Sequence, residues 1–202
     1  MQRKEIFSAK EITGIAVLLA LVIALQAFGG TIVIGAVQLN FTLIPIVLGA
    51  IVFGVGVGAF LGLACGVVVL IQVMMGAVPF YALIWANDPI ATALTCTVKT
   101  TAAGALAGWV YALLKKRNER VAIFVASGLV PIVNTALFIV GCLCMTNSVY
   151  GMAGGQNVLI FICVGLVTFN FFIEFAINLI VAPALQRVIQ VVAKGNQKGN
   201  KK

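Results

Sequence analysis

Long apolar stretches, separated by three short clusters of basic residues, limit what this chain can fold into. Hydrophobic residues make up 62% of the 202 residues and charged residues only 9%, whereas a soluble domain is roughly half apolar and about a quarter charged. The basic clusters lie within residues 3–10, 115–120 and 187–202. Because Lys and Arg collect at the cytoplasmic ends of membrane helices, this pattern predicts an all-α, multi-pass membrane protein with both termini in the cytoplasm.

The apolar stretches divide into six predicted membrane helices within one domain that covers residues 1–202. A membrane helix needs about 20 residues, so roughly six crossings fit. The predicted helices cover about residues 12–28, 41–53, 56–75, 89–114, 121–145 and 157–185, with outward loops at 29–40, 76–88 and 147–156 and a basic cytoplasmic tail at 186–202. Six crossings place all three basic clusters in the cytoplasm, whereas five would place one outside.

Residue types that commonly carry catalysis or bind metals are absent or scattered. The chain has no histidine, and its five cysteines lie within apolar stretches without a C-x-x-C pair, which is typical of packing residues. No phosphate-binding loop, nucleophile elbow or dinucleotide fingerprint occurs, so we expect no enzyme activity, no metal and no cofactor in this chain. The net charge of +8 is explained by topology and attraction to anionic lipid, so no nucleic-acid partner is expected.

Small residues recur at every fourth position in three predicted helices. They are Ala16, Ala20 and Ala24 in the first helix, Gly58, Gly62 and Gly66 in the third, and Thr100, Gly104 and Gly108 in the fourth. Such stripes let helix backbones approach closely in lipid. We expect the third and fourth helices to use them within the bundle, whereas the alanine face of the first helix could equally dock a second membrane protein.

Two ionisable residues, Lys99 and Glu174, are predicted to lie at membrane depth, where each is costly unless paired or hydrated. At about 1.5 Å per residue, Lys99 lies at a depth similar to that of Asn134 and Asn170, so the three could line the bottom of an outward-facing cavity. Lys99 could pair with Glu174 or face a bound anionic group, and these alternatives are compatible. For Glu174 we favour a structural role, as counter-ion or as hydrogen-bonding partner of another helix.

Further polar residues complete the candidate binding set: Asn40, Gln72, Asn87 and Thr135. Asn134 follows Pro131, which removes a backbone hydrogen bond and favours a bend beside the polar side chain. Asp88 precedes Pro89, so we expect it to cap the fourth helix. Tyr81 and Trp85 could contact a ligand, although aromatic residues at this level are also ordinary interface anchors.

Several motifs resemble those of the substrate-binding (S) components of energy-coupling factor (ECF) transporters. They are Ala16-x-x-x-Ala20, the block Leu39–Gly54 (LNFTLIPIVLGAIVFG), the glycine-rich segment Gly56–Gly66, Asn87-Asp-Pro-Ile90 followed by Lys99 and Gly104, and Pro131-Ile-Val-Asn-Thr135. The resemblance covers nearly the whole chain, and the Leu39–Gly54 block is its most specific part. Val55 departs from the pattern, because relatives often have proline there.

The resemblance implies a vitamin receptor in the plasma membrane of a prokaryote. Such a subunit binds its vitamin at the outer side and associates with a transmembrane scaffold subunit and two ABC ATPases, which use the ATP. Ala16 and Ala20 would form the docking face. The Asn87 to Lys99 arrangement looks most like pantothenate-type members, so an anionic vitamin is expected, with pantothenate first and riboflavin or folate next. A sparse aromatic lining would argue against a flat ring system.

Two other functions stay open. An autonomous secondary transporter coupled to an ion gradient could use Lys99 and Glu174, although no internal repeat of the kind common in such proteins is evident. A non-transporting membrane scaffold would show no stabilisation by a ligand.

Overall fold

The computed structural model describes residues 8–29, 33–34, 37–77, 79–155 and 157–199, and most of this chain is helical. The helices are α1 (Ala9–Gly29), α2 (Leu43–Phe53), α3 (Val55–Met74), α4 (Pro79–Asn87), α5 (Pro89–Leu114), α6 (Glu119–Cys144), α7 (Thr146–Met152), α8 (Val158–Ile160), a π-helical stretch (Phe161–Val167) and α9 (Thr168–Gly199). A two-residue strand, β1 (Val33–Ile34), pairs antiparallel with β2 (Val37–Gln38). The predicted basic cluster at residues 3–10 lies largely outside the described residues.

Five helices of the described chain are long and apolar enough to cross a membrane. They are Ala9–Phe28, Val55–Met74, Pro89–Leu114, Glu119–Cys144 and Val158–Ile189, and the apolar helix α2 is shorter. The chain is therefore a helical protein with the features of a multi-pass membrane bundle. A sixth crossing by α2 and the cytoplasmic position of the termini stay predictions.

Parts of the predicted outward loops are helical. Residues 79–87 form α4 and residues 146–152 form α7, whereas both segments were expected to be loops. Pro79 suits the first turn of a helix, and α4 buries Phe80, Tyr81 and Ile84 against the bundle. The last helix was expected to end at residue 185, yet α9 continues to Gly199.

The glycine stripe of α3 packs directly on the backbone of α5, as the sequence predicts. A Cβ atom added to Gly62 would lie 2.2 Å from the carbonyl oxygen of Thr100, and one added to Gly104 would lie 2.1 Å from that of Gly58. Real Cβ atoms do not approach so closely, so only glycine allows this contact. α3 and α5 thus form the tightest part of the bundle and fix the position of Lys99 on α5.

α1 lies at the edge of the bundle and contacts it through one face. Leu18, Val22 and Gln26 are buried, whereas Ala16, Ala20 and Ala24 are exposed. The two sets are offset by two positions, which places them on opposite sides of a helix with 3.6 residues per turn. The alanine stripe therefore faces away from the bundle.

Candidate functional site

A cavity opens at the end of the bundle where α1, α3 and α6 finish and α5 begins. About 530 Å³ of space free of atoms lies between its walls, a figure that includes the solvent at its open mouth. Six predicted binding residues line it: Asn40, Lys99, Asn134, Thr135, Asn170 and Glu174. The structure thus brings together residues from α5, α6, α9 and the segment that precedes α2.

Two other predicted binding residues lie elsewhere. The side chain of Asn87 donates to the carbonyl of Leu83 in its own helix, at 3.1 Å, and is exposed. Gln72 does not line the cavity. It accepts a hydrogen bond at Oε1, 2.9 Å long, from Gln26, and Gln26 does line the cavity. Both residues were predicted from their position along the chain, which does not specify the direction in which a side chain points.

Asp88 occupies the N-cap position of α5, as predicted, but its side chain makes no capping hydrogen bond. Its carboxylate instead accepts a hydrogen bond from the Ser148 hydroxyl. The expected capping role of the side chain is therefore wrong, because α7, which the sequence did not reveal, supplies a better donor. Asp88 ties the start of α5 to α7 near the cavity mouth.

Lys99 is 7% exposed, and neutral groups surround its ammonium. Nζ donates to the Tyr81 hydroxyl at 2.9 Å. The same nitrogen lies 5.3 Å from the ring centroids of Tyr81 and of Phe138, within the range of cation–π attraction. α4 supplies Tyr81 by packing beside α5, so the helix missed by the sequence prediction provides the hydrogen-bonding partner of the buried cation.

Glu174 lines the same cavity and is also 7% exposed. Its Oε1 accepts a hydrogen bond from the backbone N–H of Asn40 at 2.8 Å, so α9 is joined to the segment before α2. In the described chain, Lys99 and Glu174 form no ion pair, and the hydrogen bonds of each run to neutral groups. Glu174 therefore makes a hydrogen bond between elements, as predicted, but its partner is the non-helical segment before α2 and not another helix.

A buried chain of polar contacts leads from Glu174 to α1. Beyond Asn40, whose side chain accepts from the Thr42 hydroxyl, Thr42 Oγ1 lies 3.0 Å from Cys65 Sγ. Cys65 Sγ in turn lies 3.8 Å from Gln26 Oε1. Each of these groups is a polar partner of the next, so α1, α3 and α9 share one polar network beside the cavity.

The α6–α9 interface below the cavity is polar. A Cβ atom added to Gly128 of α6 would lie 3.3 Å from Phe175 and 3.5 Å from Leu179 of α9, so the two helices pack against each other at this level. Within the described chain, Ser127 Oγ, Asn134 Oδ1 and Asn178 Oδ1 are buried without a hydrogen-bond partner. Pro131 also has no N–H to donate to the carbonyl of Ser127. Oxygen acceptors are therefore in excess along this interface.

Aromatic rings form more of the lining than the sequence indicated. Tyr81, Phe138 and Phe171 all line the cavity, and Tyr81 contacts Phe138 edge to face, with centroids 5.8 Å apart. The expectation of a sparse aromatic lining is therefore wrong, and it no longer argues against a flat ring in the ligand. Phe138 follows Asn134 by one helical turn, a spacing that could have identified it.

Gln26 was also missed, although its sequence context gives a signal. It is an amide near the end of an otherwise apolar helix, and polar groups at membrane depth are candidates for function. Gln26 is 4% exposed and lines the cavity.

No family model matches the sequence, and no curated protein matches it either. Within the described residues, no group of three or more His, Cys, Asp or Glu side chains could hold a metal ion.

Proposed function

We propose that this chain is the substrate-binding subunit of an ECF-type importer for a water-soluble vitamin that carries an anionic group. One observation carries the proposal: a buried ammonium, Lys99, lines an open cavity at one end of a membrane bundle. Hydrogen bonds between ionised partners are roughly twice as strong as neutral ones, so a carboxylate or phosphate is the group that this cavity suits best.

Pantothenate is the first candidate because it joins a carboxylate to hydroxyl and amide groups, which Asn134, Thr135 and Asn170 could meet. Riboflavin and folate come next; folate carries carboxylates, whereas riboflavin has no ionised acidic group near neutral pH and would rely on the neutral and aromatic lining residues. The three aromatic rings in the lining support a flat ring system as much as an aliphatic chain, since rings stack favourably on such walls.

The distribution of basic residues along the chain indicates which side of the membrane the cavity faces in this proposal. The basic residues of 115–120 follow α5 at the end of the bundle opposite to the cavity. Positive residues mark the cytoplasmic side, so the cavity opens to the outside of a prokaryotic plasma membrane, with six crossings and both termini inside.

The partners are a transmembrane scaffold subunit and two ABC ATPases. The exposed face formed by Ala16, Ala20 and Ala24 supports docking of the scaffold, because small residues allow close approach between helices in lipid. ATP is used by the ATPases, and this chain contributes neither catalysis nor a cofactor.

The test separates docking from binding. With the chain purified from its native membrane, scaffold and ATPase subunits should co-purify, and pantothenate, riboflavin and folate are assayed for binding. Ala20→Trp should abolish co-purification and leave vitamin binding unchanged. Lys99→Ala should weaken vitamin binding at least tenfold, since a charge-assisted hydrogen bond is worth about 1.5–3 kcal/mol, and should leave co-purification unchanged.

If both variants change both properties equally, the division between α1 and the cavity is wrong. A secondary transporter is the second candidate, favoured by the buried Glu174 carboxylate in the cavity wall. Vesicles that contain only this chain and accumulate vitamin without ATP would establish that alternative.

A further inference from the structure

The cavity wall carries two opposite charges that do not contact each other. Lys99 and Glu174 both line the cavity, and each is 7% exposed. Within the described residues they form no direct ion pair: Lys99 donates to Tyr81, and Glu174 accepts from the backbone of Asn40. Because a buried charge with no counter-charge in contact is costly, both groups gain from a bound molecule that supplies one.

Each charged group keeps hydrogen-bonding capacity toward the cavity. An ammonium has three N–H donors, and one of those of Lys99 is directed to the Tyr81 hydroxyl. A carboxylate can accept about four hydrogen bonds, and Glu174 receives one, at Oε1. Asn134 adds an acceptor, because its Oδ1 has no partner within the described chain.

We propose that the ligand of this cavity is a zwitterion, with a carboxylate or phosphate that binds Lys99 and an ammonium that binds Glu174. This inference rests on the proposed function, that the cavity binds a water-soluble micronutrient, and it ranks zwitterionic micronutrients above pantothenate, which carries only a negative charge. The lining residues carry one positive and one negative charge, so a ligand of zero net charge with two poles neutralises both.

A purely anionic ligand satisfies only half of the site. It would pair with Lys99 but leave Glu174 without a counter-charge, and it would bring a second negative charge into a region of low dielectric, where like charges repel strongly. Discrimination between ligands often comes from such repulsion as much as from attraction. Glu174 is therefore the group that selects zwitterions over simple anions.

Matched probes test this inference on the full-length chain in lipid nanodiscs, with affinity measured by titration. Biocytin is a zwitterion with one carboxylate and one ammonium, while 6-(biotinylamino)hexanoate has the same chain and carboxylate without the ammonium. Pantothenate, folate and riboflavin complete the panel. The tightest binder should be a zwitterion, and Lys99→Met and Glu174→Gln should each weaken its binding at least tenfold.

Glu174→Gln should also tighten the binding of the anions, because it removes the repulsive charge while its amide oxygen can still accept from Asn40. Lys115→Met and Glu119→Gln are the matched controls, since both residues are exposed at the opposite end of the bundle, and they should change nothing. An anion as the tightest binder, with an affinity that Glu174→Gln leaves unchanged, would overturn the inference. If the folded protein binds no member of the panel, the proposed vitamin-binding function itself fails.

Discussion

The α3–α5 and α6–α9 interfaces join helices of similar length by different means. In the first, glycines rest on carbonyl oxygens, so that the backbones touch. The second interface contains buried Asn and Ser side chains, Pro131 and the adjoining π-helical stretch. Several of its side-chain oxygens have no hydrogen-bond partner within the described chain. The comparison teaches that close backbone packing supplies a fixed wall, while a looser polar interface leaves room for a ligand.

Gly62→Ala should produce the largest effect, because the added Cβ would meet the Thr100 carbonyl oxygen at 2.2 Å and neither backbone can move without separating the helices. We expect a loss of about 3 kcal/mol of stability, at the upper end for overpacking, seen as a lower Tm in detergent. Gly56→Ala is the control, since nothing lies within 4 Å of its added Cβ, and it should be neutral or slightly stabilising.

A glycine-to-alanine substitution at the α6–α9 interface tests whether this interface is packed less tightly than the α3–α5 interface. The added Cβ of Gly128→Ala would approach two side chains, the ring of Phe175 at 3.3 Å and Leu179 Cδ2 at 3.5 Å, and both can shift by a few tenths of an ångström. The change should cost less than about 1 kcal/mol. Equal losses for Gly62→Ala and Gly128→Ala would show that the two interfaces are packed alike.

Gln72→Leu should have an intermediate effect, because it leaves the buried amide of Gln26 without its partner at 2.9 Å. Side-chain hydrogen bonds between membrane helices are worth about 0.6 kcal/mol on average, and the unsatisfied group adds to the cost, so we expect about 1 kcal/mol. Thermal unfolding of Gln72→Leu and of the double variant Gln26→Leu/Gln72→Leu measures this loss of stability. The double variant should regain part of the loss, and a purely additive result would contradict the pairing.

Ser127→Ala should have the smallest effect and the opposite sign. The Ser127 hydroxyl is fully buried and its Oγ has no partner within the described chain, so its removal abolishes a desolvation cost instead of a bond. We expect stability to stay unchanged or to rise by up to about 1 kcal/mol. A clear decrease in Tm would indicate that Ser127 is hydrogen-bonded to a water or another group after all.

The sequence predicts depth along a helix well and direction around it poorly. Lys99, Asn134 and Asn170 were placed at one level by counting residues, and all three line the cavity. Gln72 and Asn87 were chosen by the same counting but point elsewhere, because side-chain direction depends on how helices rotate against their neighbours. Tyr81 was undervalued because α4 is a short helix between two crossings, where periodicity gives little signal.

The glycine contacts followed from a simple rule, since small residues at every fourth position favour close approach in lipid. The polar α6–α9 interface was harder to predict. Ser127 of α6 and Asn178 of α9 are both buried, and their burial depends on tertiary packing that neither helix encodes alone.

The bond from Gln26 to Gln72 has a mechanical consequence. α1 is the least buried of the five long helices, since only 17% of its most apolar stretch is buried. Most of its surface is therefore open to lipid or to a neighbouring protein. Its far end nevertheless reaches the cavity wall, so an axial slip of one helical turn, about 5.4 Å, would break this bond and displace the wall. The hydrogen bond between Gln26 and Gln72 therefore couples any movement of α1 along its axis to the wall of the cavity.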